Sequence, residues 1–89
     1  MMRLRSEFDW SSEESATKHG ISKEEIESVF DGRVLEFKVG KRVFMALGKD
    51  AGGSLMEVVY RVVEGGKIRV FHCMPARDAL RKRYRGSIR

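Results

Sequence analysis

The sequence has one cysteine, one proline and one tryptophan. It has no apolar run near the ~20 residues that a membrane-spanning helix requires. Cys73 has no second cysteine to pair with, so an internal disulfide is excluded. The first residues show no signal-peptide pattern, and a reducing, cytoplasmic setting without membrane association is expected. Two histidines and one cysteine carry no ligand spacing, so neither a metal cluster nor a cofactor is expected. Gly52-Gly53 and Gly65-Gly66 lack the following Gly-Lys-Ser/Thr of a phosphate loop. No motif suggests a Ser/His/Asp hydrolase.

What is present fits one folded domain over residues 1–89. The chain is long enough for one modest core, and an apolar fraction of 42% is that of a globule. The net charge of +5 is unevenly placed. From Lys67 onward, eight Lys/Arg stand against Asp78 alone, a balance of +7. Glu7 to Asp31 holds eight acids against Lys18 and Lys23. A basic end suggests a polyanion or an acidic protein as partner; the other reading is a tail that only aids solubility.

The stretch from Leu55 to Met74 organises the rest. Two β-rich runs flank Gly65-Gly66, which suit a two-residue type I′ turn. That turn sets Glu64 opposite Lys67, Val62 opposite Arg69, Tyr60 opposite Phe71, Val59 opposite His72 and Glu57 opposite Met74. Alternation then puts Met56, Val58, Tyr60, Val62, Phe71 and Cys73 on a core face beneath helices. Glu57, Arg61 and His72 fall on the other face, which is expected to be open. Arg69 is expected on the helix side.

In chain order, Phe8 and Trp10 anchor the start to the core, and Met1 to Arg5 are loose or form a short edge strand. Ser11 to Glu14 is a capping box for a first helix reaching about His19, with Gly20 beyond it. Ser22 to Glu25 is a second box, with Ile21 and Ile26 as a hydrophobic staple and Gly32 as the stop. Val34 to Val39 alternates as a strand, Gly40-Lys41 turns it, and Arg42 to Leu47 returns as a mostly apolar central strand. Gly48 to Ser54 reads as a mobile connection. After Pro75, Ala76 to about Arg85 reads as a helix with an apolar stripe of Ala76, Ala79, Leu80 and Tyr84. The fold class is α+β: two N-terminal helices, a four-stranded antiparallel meander and a basic C-terminal helix, with all helices on one sheet face.

Several segments, in consistent order, resemble the BrnT family of toxins. They are Phe8-Asp9-Trp10; Lys18-His19-Gly20-Ile21-Ser22 with Glu24-Glu25 and Val29-Phe30-Asp31; Gly40-Lys41-Arg42 with Ala46-Leu47-Gly48; and Ile68-Arg69-Val70 with Arg81-Lys82-Arg83-Tyr84-Arg85. The resemblance implies a RelE-like fold and a type II toxin that cuts RNA and blocks translation. It also implies a cognate antitoxin, of ribbon-helix-helix type, through which alone operator DNA would be bound. The family's Ser-Ala-Arg or Thr-Ala-Arg after the last strand is replaced here by His72-Cys73-Met74, so its arginine is absent. Lys41 stands for a glutamate, and Ser11 for an aspartate.

Metal-free RNA cleavage needs a base for the 2′-hydroxyl, positive charge on the phosphate and an acid for the leaving oxygen. His72 is the candidate acid or base, or else an ordinary strand histidine. Arg61, Arg69 and Arg42 are candidate phosphate holders. Glu57 is a candidate base, or orients His72. Lys18 and His19 either meet the dipole at the end of the first helix or belong to a nucleic-acid or antitoxin surface. Arg77, Arg81, Lys82, Arg83 and Arg85 suit phosphates or an acidic antitoxin segment. The competing reading is a catalytically inactive RNA- or protein-binding module of the same fold.

Overall fold

The computed structural model describes residues 6–87, so the expectation for Met1 to Arg5 lies outside the described residues. A 3-10 turn, Trp10–Ser12, leads into α1, Glu13–Ala16; α2 follows at Lys23–Asp31. Four strands come next: β1 Leu35–Gly40, β2 Val43–Lys49, β3 Leu55–Val62 and β4 Ile68–Pro75. The chain closes with α3, Asp78–Ser87. The sheet is an antiparallel meander in the order β1-β2-β3-β4. The α+β class and this element order match the sequence reading.

The helical start is shorter than expected. Asp9, not Ser11, is the cap, its carboxylate accepting from the Ser11 amide at 2.8 Å. α1 ends at Ala16, so Lys18 and His19 lie in the turn after it rather than in its last turn. Gly20 has a φ of 85°, a conformation open to glycine, and its amide donates to the Thr17 carbonyl. α2 follows its capping box: Ser22 accepts from the Glu25 amide at 3.2 Å. Its buried Ile26, Val29 and Phe30 meet Ala46, Met56, Val58, Tyr60, Ile68, Val70 and Cys73 on one sheet face. Glycine at position 48 of β2 lets α2 approach this closely, because a Cβ there would run into the Val29 carbonyl oxygen.

The other sheet face is not open along its whole length. Leu47, Leu55 and Ala76 are buried there, with Leu35, Leu80 and Tyr84 packed against them. Leu35 pairs with Leu47, and both belong to the face opposite Ala46 and Met56. The expectation of all helices on one face is therefore corrected: α3 lies on the second face. It can do so because β4 runs on to Pro75, and the Ala76 amide donates to the Leu55 carbonyl before the helix starts at Asp78. Pro75 thus ends a strand rather than opening a helix. Gly48 and Lys49, expected in a mobile connection, belong to β2, and the remaining turn over 50–54 is held by Asp50, whose side chain accepts from the Gly52 and Ser54 amides.

The hairpin departs from the expected register in an informative way. Its connection uses three residues, Glu64–Gly66, with Gly65 and Gly66 both at positive φ. Near the turn the partners are Val62 with Ile68, Arg61 with Arg69 and Tyr60 with Val70. One extra residue, Phe71, then forms a bulge, after which Val59 pairs with His72 and Glu57 with Met74. The expected partners of Glu57, Val58 and Val59 are observed. Those of Tyr60, Arg61 and Val62 are shifted by one. Val70 is buried in place of Phe71, Val62 is exposed, and Arg69 shares the face of Arg61 rather than the α2 side. At the other hairpin, Lys41 and Arg42 form the loop between Gly40 and Val43, one residue later than expected, with Arg42 at a φ of 60°.

The edge of β4 receives the start of the chain. The Ile68 amide donates to the Glu7 carbonyl, and the Asp9 amide donates to the Ile68 carbonyl, both at 2.8 Å. Phe8 then meets Phe30 edge-on and stacks on Trp10, whose indole N–H donates to Glu27.

Candidate functional site

The site lies where β3, β4, the turn after α1 and the start of α3 converge. Glu57 projects from β3 onto the second face and is fully buried. Its Oε1 accepts from both the backbone N–H and the Nε of Arg77, each at 3.1 Å. Its Oε2 lies 3.0 Å from the Arg77 Nη2 and 2.9 Å from the His72 Nε2. Burial pushes the Glu57 carboxyl upward. The hydrogen bonds from Arg77, then the one from His72 and the guanidinium charge, more than offset this and hold it below its ordinary value.

An ionised carboxylate accepts hydrogen bonds and donates none. His72 Nε2 therefore carries a proton, and Nδ1 is the nitrogen left for chemistry. His72 keeps 25% of its side chain exposed, so the ring is oriented from behind and reachable from in front. The ring of His19 stands edge-on to it, with centroids 5.4 Å apart. The turn carrying His19 is brought there by α1, whose Ser15 hydroxyl donates to the Phe71 carbonyl at 2.8 Å.

The expected site residues divide on this geometry. His72, Glu57, His19 and Arg77 come together. Glu57 is wholly covered from solvent, and its place behind the His72 ring is that of an orienting group. Arg77 belongs to this cluster rather than to a separate basic helix. Arg61 and Arg69 sit directly opposite each other on the same face. Such like-charged pairs repel, and here Asp9 takes up Arg69 at 2.8 Å. The Asp9 carboxyl is held far below its ordinary value by that arginine and by Ser11. Arg42 stays apart at the β1–β2 turn. On α3, Arg81 is bonded to the Ala76 carbonyl, Arg83 lies 3.6 Å over the Phe37 ring, and Lys82 and Arg85 are exposed.

The pairing of His19 with His72 and the reach of Arg77 to Glu57 were not legible in the sequence. The two histidines are far apart in the chain and share no periodic pattern. Among the described residues, no group of three or more His, Cys, Asp or Glu side chains is placed to hold a metal ion. A cleft of about 470 Å³ on the α2 side is lined by Phe30, Arg33, Glu36, Lys38, Phe44 and Tyr60. Three of its polar groups are committed to each other, Tyr60 donating to Glu36 at 2.5 Å and Arg33 at 2.9 Å. The groups suited to proton transfer are therefore on the opposite face. No family model, no curated protein and no solved structure matches the chain.

Proposed function

We propose that this chain is a ribonuclease toxin of a type II toxin–antitoxin system, a RelE-like domain that cuts RNA and is neutralised by a cognate antitoxin. The observation that carries the reading is the imidazole of His72, bonded to buried Glu57 and facing His19. Two adjacent imidazoles supply the base and the acid that strand scission requires. His72 Nδ1 takes the 2′-hydroxyl proton, and the resulting imidazolium is stabilised by Glu57 through Nε2–H. The 2′-oxygen attacks the neighbouring phosphorus, the bond to the 5′-oxygen breaks, and His19 in its protonated form donates to that oxygen. The products are a 2′,3′-cyclic phosphate and a 5′-hydroxyl. Arg61 and Arg69 set positive charge on the same face for the phosphate, while the arginines of α3 suit flanking phosphates or an acidic antitoxin segment.

The resemblance to the BrnT family, running in order from Phe8 to Arg85, supports the toxin context, with RNA as substrate in a cytoplasmic setting and operator DNA reached only through the antitoxin. Met74, where that family has arginine, pairs with Glu57 across the strands. Arg77 brings a guanidinium to the same carboxylate from beyond the strand. Expression of the chain alone should arrest bacterial growth, with purified protein cutting RNA and His72→Ala and His19→Ala each relieving both effects. Full cutting by both variants would defeat the assignment. One observation favours a second reading, a non-cleaving RNA- or protein-binding module: Arg69 and Arg77 are already held by Asp9 and Glu57. RNA binding that weakens steeply with salt, without scission, would select it.

A further inference from the structure

The bulge in β4 moves one aromatic ring from the core to the site. Had the hairpin kept a single register, Phe71 would have paired with Tyr60 and pointed at α2. The three-residue connection and the pairing of Val59 with His72 leave one residue over, and that residue is Phe71. Its ring is partly exposed and stands 5.8 Å from the Arg61 guanidinium. Burying a phenylalanine is favourable, so the half-exposed position forgoes part of what the core offers. Bulges recur beside active sites, where they re-aim a side chain.

We infer that Phe71, with Arg61 beside it, forms a stacking subsite for an unpaired nucleobase of single-stranded RNA next to His72. The inference deepens the proposed ribonuclease reading and rests on it for its biological setting. Unpaired bases are held in proteins on aromatic faces and on guanidinium planes, and both are present here on rigid strands. Phe71 and His72 are consecutive, so their Cα atoms lie ~3.8 Å apart. A base stacked on Phe71 brings its own sugar and phosphate toward the His72 Nδ1. Stacking reads no base edge, so the subsite demands a single strand without demanding a sequence.

The test uses the full chain and RNA that cannot be cut: 2′-O-methyl hexamers of adenosine and of uridine, and an abasic hexamer of equal charge. Phe71→Trp should show fluorescence quenching with both base-bearing hexamers and not with the abasic one. The constant signal of Trp10 is subtracted with the unsubstituted chain. Phe71→Ala and Phe71→Leu should each weaken binding of the base-bearing hexamers about ten-fold and leave abasic binding unchanged. Leucine keeps the bulk, so a loss common to both variants reports stacking and not a collapsed fold. Equal quenching by the abasic hexamer, or unchanged affinity in both variants, would overturn the subsite. Base-dependent quenching in a chain that cuts no RNA would sustain the subsite and remove the ribonuclease reading.

Discussion

Arg77 approaches Glu57 with its main chain and its side chain at once, the amide and Nε both 3.1 Å from one carboxylate oxygen. The contact fastens the start of α3 to the middle of β3. Removing Arg77 leaves a buried carboxylate with His72 as its remaining side-chain partner. Arg77→Ala should destabilise the protein by about 2 kcal/mol, toward the low end for a hydrogen-bonded charge in a buried pair. The moderation follows from Arg77 itself, whose side chain is 63% exposed and already largely hydrated. Urea unfolding measures this; an unchanged midpoint would mean that α3 is held by its apolar stripe alone.

The pH dependence follows from the same carboxylate. The Glu57 pKa is held below its unfolded value, as are those of Glu36 and Asp9. The stability these groups contribute is complete above the ordinary carboxyl value of about 4 and is lost as pH falls through the lower folded values. The urea midpoint should therefore begin to drop as pH falls below about 4 and go on dropping below about pH 3. Glu57→Gln should lower the midpoint at neutral pH and flatten that drop. A variant as acid-sensitive as the parent would place the effect on the other carboxylates.

On the proposed ribonuclease reading, substitutions separate the roles at the cluster. His72→Ala should lower RNA cleavage by about 10²–10⁴-fold, the usual contribution of a positioned acid or base. Glu57→Gln should lower kcat more than it raises KM, because glutamine does not stabilise an imidazolium. It should also displace the pH profile of kcat, which a purely structural loss would not do.

Gly48 and Gly86 form a matched pair of alanine substitutions. Gly48→Ala forces β2 away from α2 and should destabilise by roughly 1–3 kcal/mol, as overpacking does. Gly86 lies in α3 with open space around it, and alanine there should add about 0.5–1 kcal/mol. Thermal unfolding of the two variants checks both signs.

Cys73 is buried between sheet and helices, and burial first, then Glu25 and Glu57, push its thiol up to about 12. In the unfolded chain an ordinary thiol ionises near 8.5, so stability should fall as pH rises above that value. Native protein at pH 8 should resist thiol reagents that label it at once in urea. Rapid native labelling would show that the core around Cys73 opens.

Local signals in the sequence located every strand and the capping of α2, because alternation and Ser-x-x-Glu act over a few residues. The partnership of Glu57 with His72 follows even from a two-residue turn, because the bulge at Phe71 restores the register beyond a connection that is one residue longer. The side on which α3 packs was missed, although Met45 and Leu47 share β2 with Phe44 and Ala46, the mark of a strand covered on both faces. The stripe of Ala76, Ala79, Leu80 and Tyr84 says that the helix is amphipathic and nothing about which face receives it. The His19–His72 contact depends on how a short turn drapes over β4, which no local pattern encodes.

The way the chain begins alters the margins of the sheet. Glu7 to Asp9 pairs with the first residue of β4, Ile68, and the bulge at Phe71 breaks the row beyond it, so that side offers an outside segment no long regular row of amides. The rim of β1 is interrupted at Val39, where its register slips, and carries Lys38 one residue before the slip. Two molecules meeting edge to edge would find no uninterrupted ladder to share, and the protein should resist fibre formation even when concentrated.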